Sequence, residues 1–390
     1  MDEVAFVVQR YGPEVAGGSE SLARALAVRF AGERDVTVYT TCARDYVTWR
    51  NELPEGESVD EGVRVRRFPV EEERDLEDFN RRSEELYARP RTREEELDWL
   101  RRQGPVAPGL VSALRADKSR FAAVVFFTYL YHPTYWGLQA APERALLVPT
   151  THDEPPLRFS IYDEVFARAR AFAFLTPPEA SLVRTRFDLG GRPAEVAGIG
   201  VDVPAAPDVG AFRARLSVPG RYVLYAGRID AGKGCAEMID HYARFRRRRP
   251  RAPDLLLIGR LAMPEPALPG VRYLGYLDEA DKQAALAGAE VVLCPSPYES
   301  LSIVLLEGLA HGVPCLANAR SPVLADHCVR SNAGLFYADA EEFGEALDLL
   351  VTDRALRAEL GENGRRYVEA GYRWDVVLAR YRRLMAAAGQ

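Results

Sequence analysis

The chain of 390 residues has no long hydrophobic run and no excess of positive charge. Its longest uninterrupted apolar run, residues 121–127, is far shorter than a membrane-spanning helix. The first eight residues lack the basic flank and the length of a signal peptide. The net charge of −6 argues against a nucleic-acid binder that works through bulk charge. These absences predict a cytoplasmic protein that does not bind nucleic acid.

Cysteine is also scarce. The five cysteines are odd in number and form no CxxC pair; they lie at positions 42, 235, 294, 315 and 328. Several lie in apolar runs, which predicts buried free thiols in a reducing compartment. The five histidines do not cluster with the cysteines, so a structural zinc site is not expected.

Three common phosphate-binding signatures are missing. Gly17 and Gly18 follow the first predicted strand, but their spacing is not the GxGxxG of dinucleotide-binding proteins. Residues 227–234 nearly spell a Walker A loop, yet Gly234 stands where a serine or threonine would hold magnesium. No D-x-D sequence occurs, so the usual carboxylate pair for a metal-bound nucleotide sugar is absent. These gaps argue against a P-loop NTPase and favour neutralisation of a diphosphate without a divalent metal.

Short apolar runs alternate with helical patterns along the chain, which is typical of parallel sheets with crossover helices. The first predicted series of strands is 4–8, 36–40, 63–68, 122–127, 145–148, 171–175 and 195–197. The second predicted series is 222–226, 255–258, 271–274, 291–294 and 315–318. The Gly- and Pro-rich stretch 198–207 between them is interpreted as a linker. Because 390 residues exceed one ordinary core, two domains are expected.

Residues 71–104 are crowded with charge but keep apolar positions such as Leu86, Leu97, Trp99 and Leu100. This pattern predicts charged helices with a thin buried stripe, which form a solvated excursion from the first domain. A partly mobile flap over an acceptor site is the functional alternative.

The basic run 246–249 ends a predicted helix, where cations interact favourably with the helix dipole. A solvated helix end is the simplest interpretation. A weak contact with anionic phospholipid is the alternative.

Two predicted strand-to-helix loops have residues suited to phosphate. Gly17 and Gly18 allow a ligand to approach the backbone, and the helix that follows offers N–H groups. Arg228 and Lys233 place a guanidinium and an ammonium on one loop, which suits a diphosphate leaving group. A tight turn and two surface cations are the respective alternatives.

His152, Asp153 and Glu154 follow the predicted strand 145–148. They therefore lie at the carboxyl end of a parallel strand, where ligands bind in open α/β sheets. His152 is a candidate catalytic residue, and the two acids are candidates to orient it. A structural histidine is the alternative.

The segment from Glu299 to Glu307 is the most informative in the chain. Ser300 or Ser302 is a plausible N-cap for a helix that runs to about His311. The two carboxylates would then lie roughly 8–12 Å apart, with the helix N-terminus between them as an anion site. A ligand with an anionic middle and a polyol at each end fits, and a nucleoside diphosphate sugar has that layout. The alternative is a capped amphipathic helix with two solvated glutamates.

Together these residues resemble a family 4 glycosyltransferase of the GT-B fold over nearly the whole chain. The segments that carry the resemblance are Gly17–Glu20, His152-Asp153, Gly200–Asp202, Gly227–Asp230 with Lys233-Gly234, and the E-x7-E pair Glu299/Glu307. The resemblance implies an α/β fold of two Rossmann-like domains facing across a cleft, with a C-terminal helix that returns to the N-terminal domain. The implied parts are an acceptor domain at 1–200, a donor domain at 201–372 and the crossover helix at 373–390.

The resemblance also implies roles for the donor-side residues. Glu299 would bind the donor sugar hydroxyls, and Glu307 would bind the ribose. Arg228 and Lys233 would hold the diphosphate. The backbone N–H groups that would complete the phosphate cradle belong to Ser300, Leu301 and Ser302.

On the acceptor side, Gly17 and Gly18 would approach the donor phosphates or the acceptor, and His152 would line the transfer site. The family retains anomeric configuration, and no residue is an obvious nucleophile, so a front-face displacement is implied. The departing phosphate would then take the acceptor proton. No cofactor and no divalent metal are expected.

Two departures from the family limit what can be carried over. Leu301 and Ser302 replace the phenylalanine and glycine that commonly follow the first glutamate, which leaves the donor sugar open. The excursion 71–104 is not part of the core pattern, so the acceptor is not inferred from it.

The sequence thus predicts a metal-independent, retaining hexosyltransferase of class EC 2.4.1 that uses a nucleoside diphosphate sugar. A glycan or lipid-linked acceptor in bacterial surface polysaccharide or glycoconjugate synthesis is expected from family habit. The enzyme would act in the cytoplasm or at the inner face of the membrane, with at most a weak peripheral membrane contact. The alternatives are a catalytically silent GT-B-like binding protein and another GT-B enzyme such as a nucleotide-sugar epimerase.

Overall fold

The computed structural model describes residues 3–15, 17–202 and 206–390, which form two compact units. The first unit extends to Gly198 and includes Leu378–Gln390, and the second comprises Ile199–Val377. The boundaries predicted from the sequence for the donor domain lie after residues 200 and 372. Residues 203–205 of the predicted linker, and residue 16 of the glycine loop, lie outside the described residues.

The first unit is built on a mainly parallel sheet. Its strands are β1 (Val4–Val7), β2 (Val36–Thr41), β3 (Gly56–Asp60), β4 (Val63–Phe68), β5 (Ala123–Phe127), β6 (Ala145–Val148), β7 (Ala171–Phe174) and β8 (Ala194–Val196). They lie in the order β3-β4-β2-β1-β5-β6-β7-β8, and only the β3–β4 pair is antiparallel. The central strands β1, β5 and β6 are apolar and buried at every position, as strands covered on both faces require.

Helices connect these strands as crossovers. Those before the second unit are α1 (Gly18–Ala31), α2 (Leu76–Tyr87), α3 (Arg93–Gln103), α4 (Pro108–Asp117), α5 (His132–Ala140), α6 (Ile161–Arg168) and α7 (Pro177–Arg186). The second unit adds α8 (Val209–Arg215), α9 (Cys235–Arg248), α10 (Glu279–Ala287), α11 (Ile303–Ala310), α12 (Pro322–Ser331), α13 (Ala340–Thr352) and α14 (Arg354–Gly371), and α15 (Trp374–Ala388) is last.

The second unit has a fully parallel sheet in its described part. Its strands are β9 (Tyr222–Ala226), β10 (Asp254–Ile258), β11 (Val271–Tyr273), β12 (Val292–Cys294), β13 (Cys315–Asn318) and β14 (Gly334–Tyr337). Their order is β11-β10-β9-β12-β13-β14, so the carboxyl ends of β9 and β12 are neighbours at one edge of the sheet. Loops that follow these two strands therefore meet there.

The α/β fold and every predicted strand are confirmed, with strand bounds that differ by at most one residue. Two further strands escaped prediction. β3 is exposed over most of its length. It connects to β4 through a turn at Glu61 and Gly62, whose backbone φ angles both lie in the left-handed region. β14 is only partly buried and begins with a glycine, so neither strand has a strong apolar pattern.

The charged excursion consists of helices with a buried stripe, as predicted. Leu86, Trp99 and Leu100 are at most 1% exposed. The Trp99 Nε1–H donates to Ser83 Oγ at 2.8 Å, which joins α3 to α2. Glu96 is buried and accepts from the Ile161 backbone N–H at 3.1 Å, so α3 also fixes the start of α6. The excursion is thus packed onto the body of the first unit.

The end of α15 belongs to the first unit, as the resemblance implied. Tyr381 is buried, and its hydroxyl donates to the Gly198 carbonyl at 3.3 Å. Arg382 Nε donates to Glu33 at 2.9 Å. These contacts fasten the last residues of the chain to the N-terminal sheet unit.

The basic run at the end of α9 is paired with acids. Arg248 makes two hydrogen bonds to Glu341, at 2.7 and 2.8 Å, and Arg249 does the same to Asp348. Both acids lie on α13. These pairs favour the helix-end interpretation over a lipid contact.

All five cysteines are buried free thiols, as predicted. The sulfurs of Cys315 and Cys328 lie 3.6 Å apart, and no disulfide joins these two residues. Among the described residues, no group of three histidine, cysteine or acidic side chains is arranged to hold a metal ion. Within the same residues, no helix has the length and hydropathy needed to cross a bilayer.

Candidate functional site

The loop after β9 carries the two predicted cations. Arg228 is ion-paired with Asp230 through its Nε–H, and Asp230 Oδ1 accepts the Lys233 backbone N–H at 2.9 Å. Burial raises the pKa of Asp230, but the Arg228 guanidinium and the Lys233 N–H outweigh it and hold the pKa below its usual value. Asp230 therefore organises the loop around both cations.

Gly234 closes this loop and starts α9. Its φ of 73° lies in the left-handed region, and a Cβ there would lie 2.4 Å from the Pro295 carbonyl oxygen. Any side chain is thus excluded by backbone conformation and by contact. This explains why the chain departs from the Walker A pattern at this position.

The loop after β12 brings the first glutamate to the cation loop. The Lys233 ammonium donates to Glu299 Oε1 at 2.8 Å, and both side chains are half-buried, at 34% and 19% exposure. Residues 233 and 299 are thus in direct contact, although 66 positions separate them. Lys233 is therefore an ion-paired cation that remains partly exposed.

The helix after this loop begins as predicted but is capped differently. α11 runs from Ile303 to Ala310, and Ser302 occupies the N-cap position. Its side chain makes no capping hydrogen bond, and its backbone is left-handed, with φ 69° and ψ 80°. The expectation that the Ser302 side chain caps the helix is therefore wrong, because an N-cap side chain reaches the first-turn N–H groups from an extended backbone. The Ser302 hydroxyl thus leaves the positive end of the helix available to an anion.

Glu307 lies on α11 and is only 5% exposed. Its Oε1 accepts from Lys282 Nζ at 2.8 Å and from Gln283 Nε2 at 3.0 Å, both on α10. Its Oε2 is buried and has no hydrogen-bond partner among the described residues. Burial raises the pKa of Glu307, although the Lys282 ammonium opposes that shift. The alternative of two solvated glutamates is therefore wrong for Glu307.

The glycine loop of the first unit surrounds a buried ion pair. Arg10 Nε donates to Glu20 Oε1 at 2.9 Å, and both side chains are about 95% buried, at 6% and 5% exposure. A Cβ on Gly17 would lie 2.1 Å from Glu20 Oε2, whereas a Cβ on Gly18 would meet nothing within 4 Å. A side chain at position 17 would thus displace the Glu20 carboxylate, whereas Gly18 leaves the backbone open at the start of α1.

His152 lies after β6 with its side chain 38% exposed. Its Nε2 is 3.4 Å from Glu154 Oε2, and Glu154 Oε1 accepts from the Tyr129 hydroxyl at 2.9 Å. Burial raises the pKa of Glu154, although His152 and Tyr129 oppose the shift. Asp153 instead pairs with Arg158 at 2.8 Å. Of the two acids predicted to orient His152, only Glu154 lies beside it.

The residue before His152 is held by a buried acid. Glu179 is 1% exposed and accepts from the Thr151 N–H at 2.7 Å and from the Leu175 N–H at 2.6 Å. Burial outweighs these hydrogen bonds and raises the pKa of Glu179 to about 7. Glu179 thus ties the ends of β6 and β7 to the first turn of α7.

Several contributing residues were missed from the sequence. Lys282 and Gln283 orient Glu307, Arg10 neutralises Glu20, and Glu179 fixes Thr151. Each acts across a gap in sequence, so local periodicity does not reveal it. The available signal is a lysine and a glutamine side by side in the short helix before β12, just ahead of its apolar end.

Comparison with known proteins agrees with this arrangement. Residues 212–367 match the family described as glycosyl transferases group 1. A D-inositol 3-phosphate glycosyltransferase from Salinispora arenicola is 27% identical over 266 residues, which cover 60% of this chain and 59% of the relative. A similar enzyme from Jonesia denitrificans is covered to 65% of its length, so the chain spans about three fifths of these curated relatives.

Solved structures are similar over the whole chain. Sucrose-phosphate synthase from Thermosynechococcus elongatus has a TM-score of 0.74 at 20% identity, with 99% of this chain and 100% of that chain covered. The Anabaena protein HepE, solved with UDP and glucose, has a TM-score of 0.72 at 15% identity over 99% and 100% of the two chains. At these sequence identities, the similarity to the solved structures shows a shared fold and nothing more.

The two α/β units, the second with the cation and glutamate loops at the carboxyl edge of its sheet, have the GT-B fold of these solved structures. Residues 212–367, most of the second unit, are similar to the group 1 glycosyl transferases, and the E-x7-E segment lies within this match.

Proposed function

We propose that this chain is a retaining, metal-independent glycosyltransferase that moves a hexose-type sugar from a nucleoside diphosphate sugar to a glycan or lipid-linked acceptor. One observation carries the proposal: the segment 299–307 presents two carboxylates, an uncapped helix N-terminus and a contacting ammonium. Each of these groups matches one part of the proposed donor.

The diphosphate is assigned to the N-terminus of α11. Its first turn has no side-chain cap, so its N–H groups and dipole favour an anion. Lys233 is held close by Glu299, and Arg228 is held by Asp230 on the same loop. Two cations and the helix end would neutralise the leaving group, which supports chemistry without a divalent metal.

The hydroxyl groups of the donor are assigned to the two glutamates. A buried carboxylate oxygen without a donor costs free energy, and Glu307 Oε2 is such an atom. A ribose hydroxyl would satisfy it. Glu299 is more exposed and would accept from the sugar, and its hydrogen bond from Lys233 would hold it in place.

The transfer step is assigned to electrostatic stabilisation rather than to a covalent intermediate. Lys233, Arg228 and the amides of residues 300–302 would stabilise charge on the departing phosphate, which would take the acceptor proton in a front-face displacement. One such donor is typically worth 10²–10³ in turnover, or about 3–4 kcal/mol. His152, with Glu154 beside it, would line the transfer site.

The acceptor is proposed from the relatives. Their names include inositol phosphate and phosphatidyl-myo-inositol as sugar acceptors and lipopolysaccharide core synthesis as a process. A polyol, glycan or lipid-linked acceptor in surface polysaccharide or glycoconjugate synthesis would suit this group. Such an enzyme would work in the cytoplasm or at the inner face of the membrane.

A donor panel tests the proposal. The protein is incubated with UDP-, GDP-, ADP- and dTDP-sugars in EDTA, and free nucleoside diphosphate is measured. We expect one donor to be turned over slowly to water, and Lys233→Gln to abolish the signal. Arg248→Gln, which removes a cation from a surface ion pair of the same unit, is the matched control. This variant should retain the turnover signal.

The other outcomes identify the rivals. Binding of a donor with no turnover toward any acceptor would indicate a silent binding protein. A changed sugar without release of the diphosphate would indicate an epimerase. Turnover only with added magnesium would contradict the metal-independent part of the proposal.

A further inference from the structure

His327 contacts the donor loop from the buried side of the second unit. It lies on α12 and is 0% exposed. Its Nε2 lies 3.0 Å from the carbonyl oxygen of Leu301, in the segment between Glu299 and α11. Its Nδ1 lies 3.0 Å from the Tyr367 hydroxyl, and that hydroxyl lies 3.0 Å from the hydroxyl of Tyr372.

The chemistry of these groups fixes the direction of every hydrogen bond. A carbonyl oxygen can only accept, so Nε2 of His327 must carry the proton. Burial lowers the pKa of His327 to about 4, so the ring is neutral at physiological pH and Nδ1 must accept. Tyr367 therefore donates to Nδ1, and Tyr372 donates to Tyr367.

Holding the Leu301 carbonyl also orients the next amide. The Leu301–Ser302 peptide bond is trans, so its C=O and N–H point in opposite directions. The carbonyl points to buried His327, and the Ser302 N–H therefore points away from His327. The left-handed conformation of Ser302 is unfavourable in a residue other than glycine, so it needs support of this kind.

We propose that His327 is a positioning residue of the donor site, which fixes the Leu301–Ser302 peptide so that the Ser302 N–H faces the donor phosphate. The proposal rests on the function proposed above. It adds a hydrogen-bonded relay, from Tyr372 through Tyr367 and His327 to Leu301, that holds the phosphate-binding loop. The relay also reaches the start of the second unit, because the Tyr372 carbonyl accepts from the Val201 N–H at 2.8 Å.

Calorimetric titration in EDTA tests this role. The nucleoside diphosphate that the wild-type protein binds best, from UDP, GDP, ADP and dTDP, is titrated into His327→Leu and His327→Gln, as is the corresponding nucleoside. We expect His327→Leu to weaken the diphosphate about tenfold, the worth of one hydrogen bond, and to leave the nucleoside within about twofold. His327→Gln keeps an N–H donor near the Nε2 position and should restore most of the affinity.

A second measurement does not depend on a variant that folds. The chain has only five histidines, so long-range ¹⁵N–¹H spectra of the wild-type protein can assign each ring. We expect the Nε2-protonated tautomer for His327 in the wild-type protein. An Nδ1-protonated ring would overturn the inference.

The outcomes separate this inference from the proposed function. Unchanged diphosphate affinity in His327→Leu, or equal loss of diphosphate and nucleoside, would overturn the positioning role alone. A folded wild-type protein that binds no nucleoside diphosphate would overturn both.

Discussion

The loops after β1 and β9 occupy equivalent places in the two units, yet their charges are used differently. In the first unit, Arg10 and Glu20 are buried against each other and enclose Gly17. In the second unit, Lys233 and Glu299 are partly exposed, and Glu307 keeps one oxygen without a donor among the described residues. The ion pair of the first loop is thus closed off from solvent, whereas that of the second remains accessible.

A glycine-rich loop after a strand can therefore enclose a buried ion pair. A Cβ on Gly17 would meet the Glu20 carboxylate, whereas one on Gly18 would meet nothing within 4 Å. In the second unit, the start of α11, which Ser302 does not cap, and the Glu307 oxygen without a donor among the described residues favour a ligand. Substitutions in both loops test this contrast.

Arg10→Met is expected to have the largest effect, and this effect is on the stability of the first unit. The change leaves Glu20 buried without its cation, which should lower the free energy of unfolding of the first unit by about 3–5 kcal/mol. Urea unfolding followed by tryptophan fluorescence measures it. Lys118→Met, which breaks an exposed pair with Glu143, is the control and should cost less than about 1 kcal/mol. Equal losses in the two variants would contradict the buried structural role of Arg10.

The next effect is on turnover, from Glu299→Gln. The carboxylate would accept from the sugar and hold Lys233, so we expect turnover to fall by about 10²–10³. The affinity for the nucleoside diphosphate should change far less. Steady-state rates and calorimetry measure the two quantities. If both fall by the same factor, the role assigned to Glu299 is wrong.

A smaller effect concerns pH and Glu179. Its folded-state pKa of about 7 lies above that of an exposed glutamate, about 4.3, so the folded protein keeps a proton that the unfolded chain releases. This contribution to stability is complete below about pH 4 and is lost as the pH rises to about 7. The free energy of unfolding of Glu179→Gln should therefore fall less between about pH 5 and pH 8 than that of the wild type.

Glu71→Gln, at an exposed position of the same unit, is the control for this prediction and should follow the wild-type curve. A Glu179→Gln curve parallel to the wild type would show that Glu179 does not titrate in this range.

The smallest effect is expected from Ser302→Gly. The left-handed φ of 69° disfavours a residue with a Cβ, so glycine should stabilise the second unit by about 1 kcal/mol. Ser217→Gly, with a φ of 53° away from the glutamate segment, should give a similar gain. Thermal unfolding measures both. Destabilisation by Ser302→Gly would mean that the serine side chain supports the loop.

The strands and the loops at their ends could be predicted because apolar runs and glycines are local signals. β3 and β14 could not, since edge strands with exposed residues carry little apolar pattern. In the site, Glu299 and Glu307 followed from one short segment. The Glu307 partner Lys282 lies 25 positions away and depends on how α10 packs, which no local pattern encodes. The prediction that the Ser302 side chain caps α11 was wrong because the backbone conformation of Ser302 is set by the loop as a whole.

A crystal structure with the preferred sugar nucleotide, grown in EDTA, would locate the donor. We expect the diphosphate at the first turn of α11, with Lys233 and Arg228 on its oxygens and a ribose hydroxyl on Glu307 Oε2. A nucleotide bound elsewhere in the chain, or bound there only when magnesium is supplied, would contradict this expectation.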